Sequence, residues 1–137
     1  MADKKRWREL FIVSILASFL GCITDEIMHH YTLWQYKNGH PLLINMADDF
    51  GVYAVVTYLF IQWLPKNQTF QIMFGYLLAW TSFAISIELL YYFSNHLVYY
   101  QWWNSWHSYV ADWFLFLLFY QFHKVFNLKE LSQKKEI

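Results

Sequence analysis

Acidic residues and histidines interrupt otherwise apolar stretches of this 137-residue chain, and they are the residues whose types could do chemistry. Ten residues are Asp or Glu. Six of them lie within or at the end of apolar segments: Asp25, Glu26, Asp48, Asp49, Glu88 and Asp112. We expect no lysine or arginine to lie within the bilayer, where it could pair with these acids. An acid in such surroundings stays protonated, binds a cation or pairs with histidine.

Four segments are long and apolar enough to hold these residues in a bilayer, which requires about 20 mostly apolar residues per helix. They cover residues 7–29, 42–64, 70–94 and 105–122, with a helical continuation of the first to Tyr36 left open. Pro41, Pro65 and Asn95 mark the breaks between them. Apolar residues make up 58% of the chain and charged residues only 15%, which excludes an ordinary soluble domain. The sequence therefore predicts an all-α fold, a polytopic transmembrane four-helix bundle that forms one domain over residues 1–137.

The lysines and arginines predict how this bundle is oriented. With the N-terminus inside, every one of them except Lys37 faces the cytoplasm, and cytoplasmic loops are enriched in these residues. We therefore expect a multi-pass protein of the cell membrane with both termini cytoplasmic (N-in and C-in) and a polar tail over residues 128–137. The lipid bilayer is then its first partner. The formal net charge of zero gives no indication of nucleic-acid binding.

Helical geometry places the acids of the apolar segments together in the outer half of the membrane. One face of the first helix carries a stripe of polar or small side chains, and an i, i+4 row runs through the second: Ser14, Ser18, Cys22, Asp25 and His29, then Asn45, Asp49, Tyr53 and Thr57. The prediction is an outward-facing polar pocket lined by Asp25, Glu26, His29, Asp49, Glu88 and Asp112. His40, His96 and His123 are predicted to be surface residues, and Gly51 and Gly75 to mark close helix contacts.

One short motif within this pocket resembles a metal ligand pair. Glu26 and His29 form an E-x-x-H on a helix, the arrangement that four-helix carboxylate proteins use for two metals. A second such motif is missing, so the alternative is a mononuclear site formed by Glu26, His29, Asp49 and Glu88. A divalent metal is therefore a candidate cofactor. No catalytic residue is assigned, because the chain has no G-x-S-x-G and Cys22 lies in apolar surroundings.

From the second segment onward the chain resembles a family of small, uncharacterised multi-helix integral membrane proteins of spore-forming Gram-positive bacteria. The resemblance covers about 80 residues and rests on four features, which the sequence carries in this order: Asp49 opening a span that closes with Trp63-Leu64-Pro65, then Ile85-Ser86-Ile87-Glu88-Leu89-Leu90, then Tyr100 before Trp102-Trp103-Asn104-Ser105-Trp106, then the aromatic last helix 110–126. The family has no assigned activity. The resemblance therefore implies the topology and the importance of Asp49, Glu88 and the tryptophan cluster, and it implies no reaction.

The sequence thus predicts a small membrane protein whose pocket binds protons, a cation or a polar headgroup, or which serves as a membrane subunit of a larger assembly. Two alternatives remain. One is an enzyme of the outer leaflet, metal-dependent if the predicted ligand set forms. The other is an oligomeric transporter or channel component. A second copy of the chain or another membrane protein is the expected protein partner.

Overall fold

The computed structural model describes residues 6–37 and 48–130, without the side chains of Tyr36, Asp48 and Asp49. The predicted all-α class is confirmed, because four helices form a bundle over this part of the chain. The elements, in chain order, are α1 (Trp7–His30), β1 (Trp34–Tyr36), a π-helical segment (Asp48–Tyr53) that continues into α2 (Ala54–Gln62), α3 (Phe70–Phe93), β2 (Leu97–Tyr99) and α4 (Ser105–Val125).

Most predicted helix boundaries agree with the structure to within a few residues. α1 ends one residue after the predicted boundary, α3 ends one residue before it, and α4 extends three residues further. The open continuation of the first helix to Tyr36 is wrong, since the chain turns after α1 and enters β1. The predicted helix start at 42 and the break at Pro41 lie outside the described residues.

The two strands lie at one end of the bundle, β1 after α1 and β2 after α3. We call this end the strand end. They pair antiparallel, with Trp34 opposite Tyr99 and Tyr36 opposite Leu97. At the opposite end, which we call the terminal end, the start of α1 meets the end of α4 through a contact between Glu9 and His123. The helices therefore run up and down in alternation.

Local side-chain chemistry explains where the helices next to the strands begin and end. α3 ends at Phe93, and Asn95 then adopts a left-handed conformation (φ 59°), which asparagine tolerates better than most residues. α4 begins after Asn104, whose side chain accepts hydrogen bonds from the backbone N–H groups of Trp106 (3.0 Å) and His107 (3.3 Å). Such a cap satisfies two of the amides that a helix start leaves unpaired.

Aromatic rings fill the centre of the bundle. Phe60 of α2 is fully buried, and its ring stacks on Tyr76 of α3 (5.3 Å between centroids) and lies against Phe116 of α4 (5.0 Å). Leu128 is also buried against this core, so the predicted polar tail from 128 begins too early. The glycine prediction is wrong as well, because a Cβ atom added at Gly51 or Gly75 would meet nothing within 4 Å.

Several polar residues are buried in the bundle, and many large apolar residues are exposed. On α1, Ser14, Ser18 and Asp25 are buried, while Phe19 is 61% exposed. Two helices, α1 and α3, are long and apolar enough to cross a membrane by length and composition. Only 17% of the most apolar stretch of α3 is buried inside the bundle. Most of the apolar surface of α3 therefore lies on the outside of the bundle.

Candidate functional site

A cleft with a cavity volume of about 90 Å³ lies in the strand-end half of the bundle. It lies between the second helix, which packs on α1, and the packed pair of α3 and α4. Its walls come from β1, β2, the second helix, α3 and α4: Trp34, Val52, Tyr53, Val56, Thr57, Ala84, Ile87, Glu88, Tyr91, Leu97, Asp112, Leu115, Phe116 and Phe119. The lining is mainly apolar and aromatic, and its two ionisable acids are Glu88 and Asp112.

The six residues predicted for the pocket are found in three different situations. Glu88 and Asp112 line the cleft together. Asp25 is buried in α1 but is not among the lining residues, and Glu26 and His29 are exposed on the same helix. The side chain of Asp49 lies outside the described residues, so its predicted role stays a prediction.

The π-helical segment changes the spacing on which the predicted polar row of the second helix depended. A π-helix bonds each residue to the fifth one along, so the i, i+4 row does not continue through Asp48–Tyr53. Tyr53 and Thr57, which follow this segment, both line the cleft. Asn45, the first residue of the predicted row, lies outside the described residues.

Hydroxyl groups from the strand end hold the Glu88 carboxylate. The Tyr99 hydroxyl donates a hydrogen bond to Glu88 and accepts one from Ser105 Oγ (3.3 Å). Burial, and next the hydrogen bond that its hydroxyl donates to Glu88, raise the pKa of Tyr99 well above its ordinary value. Tyr99 therefore remains a donor over the whole physiological pH range. The strand register explains its position, because β2 pairs with β1 over the ends of α1 and α3.

Asp112 is in a different environment from Glu88. Its carboxylate is closely surrounded by protein, although the residue as a whole keeps partial accessibility because it borders the cleft. It makes no hydrogen bond to any residue in the described ranges, and it interacts electrostatically with Glu88. No Lys, Arg or His is among the described residues that line the cleft. A pair of acids without a basic neighbour favours a proton or a bound cation between them.

Replacing Tyr99 with phenylalanine tests how firmly Glu88 is held. We expect Tyr99→Phe to lower the free energy of unfolding by about 1.5–3 kcal/mol, the usual effect of losing a hydrogen bond to a charged group. The ring that stacks on Tyr92 (5.1 Å) is retained. The measurement is unfolding in detergent micelles followed by tryptophan fluorescence. Tyr100→Phe is the matched control, since this exposed neighbour makes no side-chain hydrogen bond within the described ranges. Equal losses in both variants would contradict the assignment.

Three of the four predicted metal ligands have described side chains, and these three do not lie together. In residues 6–37 and 48–130, no group of three or more His, Cys, Asp and Glu side chains could hold a metal ion. Glu26 and His29 are exposed on α1, whereas Glu88 faces the cleft. Because the side chain of Asp49 is not described, the complete set of Glu26, His29, Asp49 and Glu88 stays a prediction.

Sequence reasoning missed a charged cluster at the terminal end, formed by Arg6, Glu9 and His123. Glu9 is fully buried. Arg6 donates to both of its carboxylate oxygens (2.6 and 3.0 Å), and Nε2 of His123 lies 2.6 Å from Oε1. Arg6 also donates to the carbonyl oxygen of Gln62 (3.1 Å). The cluster therefore links the start of α1 to the ends of α2 and α4.

This cluster corrects two predictions. His123 is buried and paired, so its assignment as a surface residue is wrong. Acids within the helices also do not lie at one end only, because Glu9 is at the opposite end from Glu88. The i, i+3 spacing of Arg6 and Glu9 was the signal available in the sequence. Nothing in the sequence linked Glu9 to a histidine 114 residues further along.

None of the described histidines near the strand end lines the cleft. His96 is exposed, as predicted. His107 lies against the rings of Trp102 (5.0 Å between centroids) and Trp103 (5.6 Å), and its Nδ1 lies 2.9 Å from the side-chain oxygen of Asn104. These contacts belong to the cap of α4. The candidate site therefore consists of the cleft with Glu88, Asp112 and the hydroxyl groups that hold Glu88.

Comparisons with known proteins leave the resemblance to small membrane proteins of spore-forming bacteria as a prediction. No family model, no curated protein and no solved structure matches the chain.

Proposed function

We propose that the chain is an integral membrane protein whose four helices span the bilayer with both termini in the cytoplasm, and that its cleft binds a cation at Glu88 and Asp112. The single observation that carries the binding function is the cleft itself. It brings two carboxylates together, and the described lining contains no basic side chain.

The distribution of apolar surface supports the membrane location. Large apolar side chains are exposed along α1, α3 and α4, among them Phe19 (61%), Phe70 (84%) and Phe114 (67%). Soluble monomers rarely expose continuous apolar patches beyond a few hundred Å². Exposed apolar faces combined with a polar interior are what a bilayer favours, because lipid solvates the former and not the latter. Of the four helices, α1 and α3 reach the length and hydropathy of a span.

The positive charges at the terminal end support a cleft that faces the outer side of the membrane. Arg6 and Lys124 lie at the terminal end, and the positive-inside rule assigns that end to the cytoplasm. The strand end, with Glu88 and Asp112, then faces outward.

The packing beneath the cleft favours a closed binding site over a continuous path through the membrane. Leu10, Val13, Phe60 and Ile61 are all fully buried in the half nearer the terminal end. The hydroxyl of Thr81 donates to its own helix at the carbonyl of Leu77 (2.8 Å). Side chains of this kind fill the bundle rather than line a route, so we favour binding over transport.

Binding of small cations in dodecylmaltoside micelles tests the proposed function. We expect isothermal titration to detect tetramethylammonium or Mn²⁺ bound to the parent protein. The double variant Glu88→Gln with Asp112→Asn should bind at least about tenfold more weakly, which corresponds to about 1.4 kcal/mol. Glu26→Gln is the matched control, since it removes an exposed acid of α1 outside the cleft. Equal affinities in all three proteins, or no binding to the parent, would refute the proposal.

A further inference from the structure

The cleft continues well below its two acids as an apolar space. Asp112 lies seven residues into α4, which is roughly 10 Å from the start of the helix. Phe119, another lining residue, lies seven residues deeper, roughly a further 10 Å at the same rise. Leu115 and Phe116 line the cleft between these depths, and Val56 and Thr57 of α2 line it as well. An ion bound at the carboxylates would leave this part of the cleft unfilled.

The oxygen atoms of the lining also fit a bare metal ion poorly. Ca²⁺ takes six to eight oxygen ligands and Mg²⁺ requires a near-ideal octahedron. The described lining offers the carboxyl groups of Glu88 and Asp112 and the hydroxyls of Tyr53, Thr57 and Tyr91. Glu88 already accepts a hydrogen bond from Tyr99 at the strand end. An organic ammonium group needs fewer oxygen ligands, and aromatic faces such as the Trp34 ring attract it further.

The mouth of the cleft lies on the side of the bundle. Two lining residues are more than a third exposed, Val52 in the π-helical segment (37%) and Tyr91 on α3 (43%). Leu97 of β2, which lines the cleft toward the strand end, is only 2% exposed. In the proposed membrane orientation this mouth faces the outer leaflet, where a compound with an apolar chain accumulates.

From these three observations we infer that the cleft binds an amphiphilic ammonium compound, with its cationic group at Glu88 and Asp112 and its apolar chain along Val56, Leu115 and Phe116. This inference rests on the proposed function, because it names the class of cation that the site holds. The ammonium group could belong to a lipid headgroup or to a freely diffusing amphiphile, and the two sources share the same chemistry.

The test compares three small probes in dodecylmaltoside micelles at one fixed detergent concentration. Hexyltrimethylammonium carries both charge and chain, tetramethylammonium carries the charge alone, and hexanol carries the chain alone. Each buried methylene group adds to binding, so we expect hexyltrimethylammonium to bind at least about tenfold more tightly than either of the others. Equal affinity for the two ammonium probes, or equal affinity for hexyltrimethylammonium and hexanol, would overturn the inference.

A variant that fills the apolar space separates the chain site from the charge site. Ala84 lines the cleft on α3. Ala84→Leu should abolish the preference for hexyltrimethylammonium over tetramethylammonium. Ala79→Leu is the matched control, since Ala79 is exposed on the same helix and does not line the cleft. The inference is wrong if Ala84→Leu and Ala79→Leu behave alike.

The source of the ligand is distinguished by native mass spectrometry after adding phosphatidylethanolamine or phosphatidylglycerol. Phosphatidylethanolamine that stays bound and is displaced by hexyltrimethylammonium identifies a lipid headgroup. Retention of neither lipid, with tight binding of hexyltrimethylammonium, identifies a free amphiphile. If tetramethylammonium and Mn²⁺ bind through Glu88 and Asp112 but the hexyl chain adds nothing, the proposed function stands and this inference fails.

Discussion

Replacing Glu9 with alanine lowers the free energy of unfolding by about 3–5 kcal/mol, the usual effect of removing one partner of a buried ion pair. Glu9 is fully buried, and it is the shared acceptor of Arg6 and His123. Without it, the nearly buried His123 ring loses its acceptor, and the Arg6 guanidinium loses both of its bonds to the carboxylate and keeps the one to the Gln62 carbonyl. Unfolding by sodium dodecyl sulfate in mixed micelles, followed by circular dichroism, provides the measurement.

Two further variants show whether the loss comes from the cluster. Glu26→Ala removes an exposed acid from the same helix, and we expect it to change stability by no more than about 0.5 kcal/mol. Glu9→Gln keeps an acceptor oxygen, so its loss should lie between the other two. A Glu9→Ala protein as stable as Glu26→Ala would show that the cluster does not hold the helices together.

Replacing Asp112 with leucine raises the stability of the bundle and abolishes cation binding. In the proposed membrane location, an acid costs about 2.5–3.5 kcal/mol on insertion scales, which is the upper limit of the expected gain. Asp112 makes no compensating hydrogen bond to any residue in the described ranges, and it lies close enough to Glu88 to interact with it electrostatically. Leucine fills a similar volume with an apolar group. Stability and tetramethylammonium binding are measured on the same preparation.

The sign of the stability change separates a binding residue from a packing residue. If Asp112 held a neighbouring helix by a hydrogen bond, Asp112→Leu would be destabilised and Asp112→Asn would restore most of the loss. We expect the opposite order, with Asp112→Leu more stable than the parent and Asp112→Asn between them. A destabilised Asp112→Leu that still binds the cation would refute the assigned role.

The two ends of the bundle therefore use acids in different ways. At the terminal end, the carboxylate of Glu9 has an arginine and a histidine as partners, which suits a structural tie between helices. At the strand end, Glu88 is held by hydroxyl donors and Asp112 has no hydrogen-bond donor among the described residues. Uncompensated acids in an apolar setting are typical of functional sites, because they destabilise the fold unless a ligand binds.

Local signals in the sequence determined the helices of this protein. Long apolar stretches after Pro65 and Asn95 placed α3 and α4 to within a few residues, since these breaks depend on backbone preferences of single residues. The acids that line the cleft, Glu88 and Asp112, were both among the six acids singled out in the sequence. A charged residue inside an apolar stretch is conspicuous without any knowledge of its neighbours.

Only the tertiary structure decided which of these residues meet. Strand pairing brings Tyr99 to Glu88, helix packing brings His123 to Glu9, and the exposed positions of Glu26 and His29 separate them from the cleft. Helical spacing gives the direction of a side chain relative to its own helix axis, but the rotation of each helix against its neighbours depends on packing along its whole length. The sequence alone therefore determined that acids lie within apolar helices, and the packing of those helices decided which acids are paired and which face the cleft.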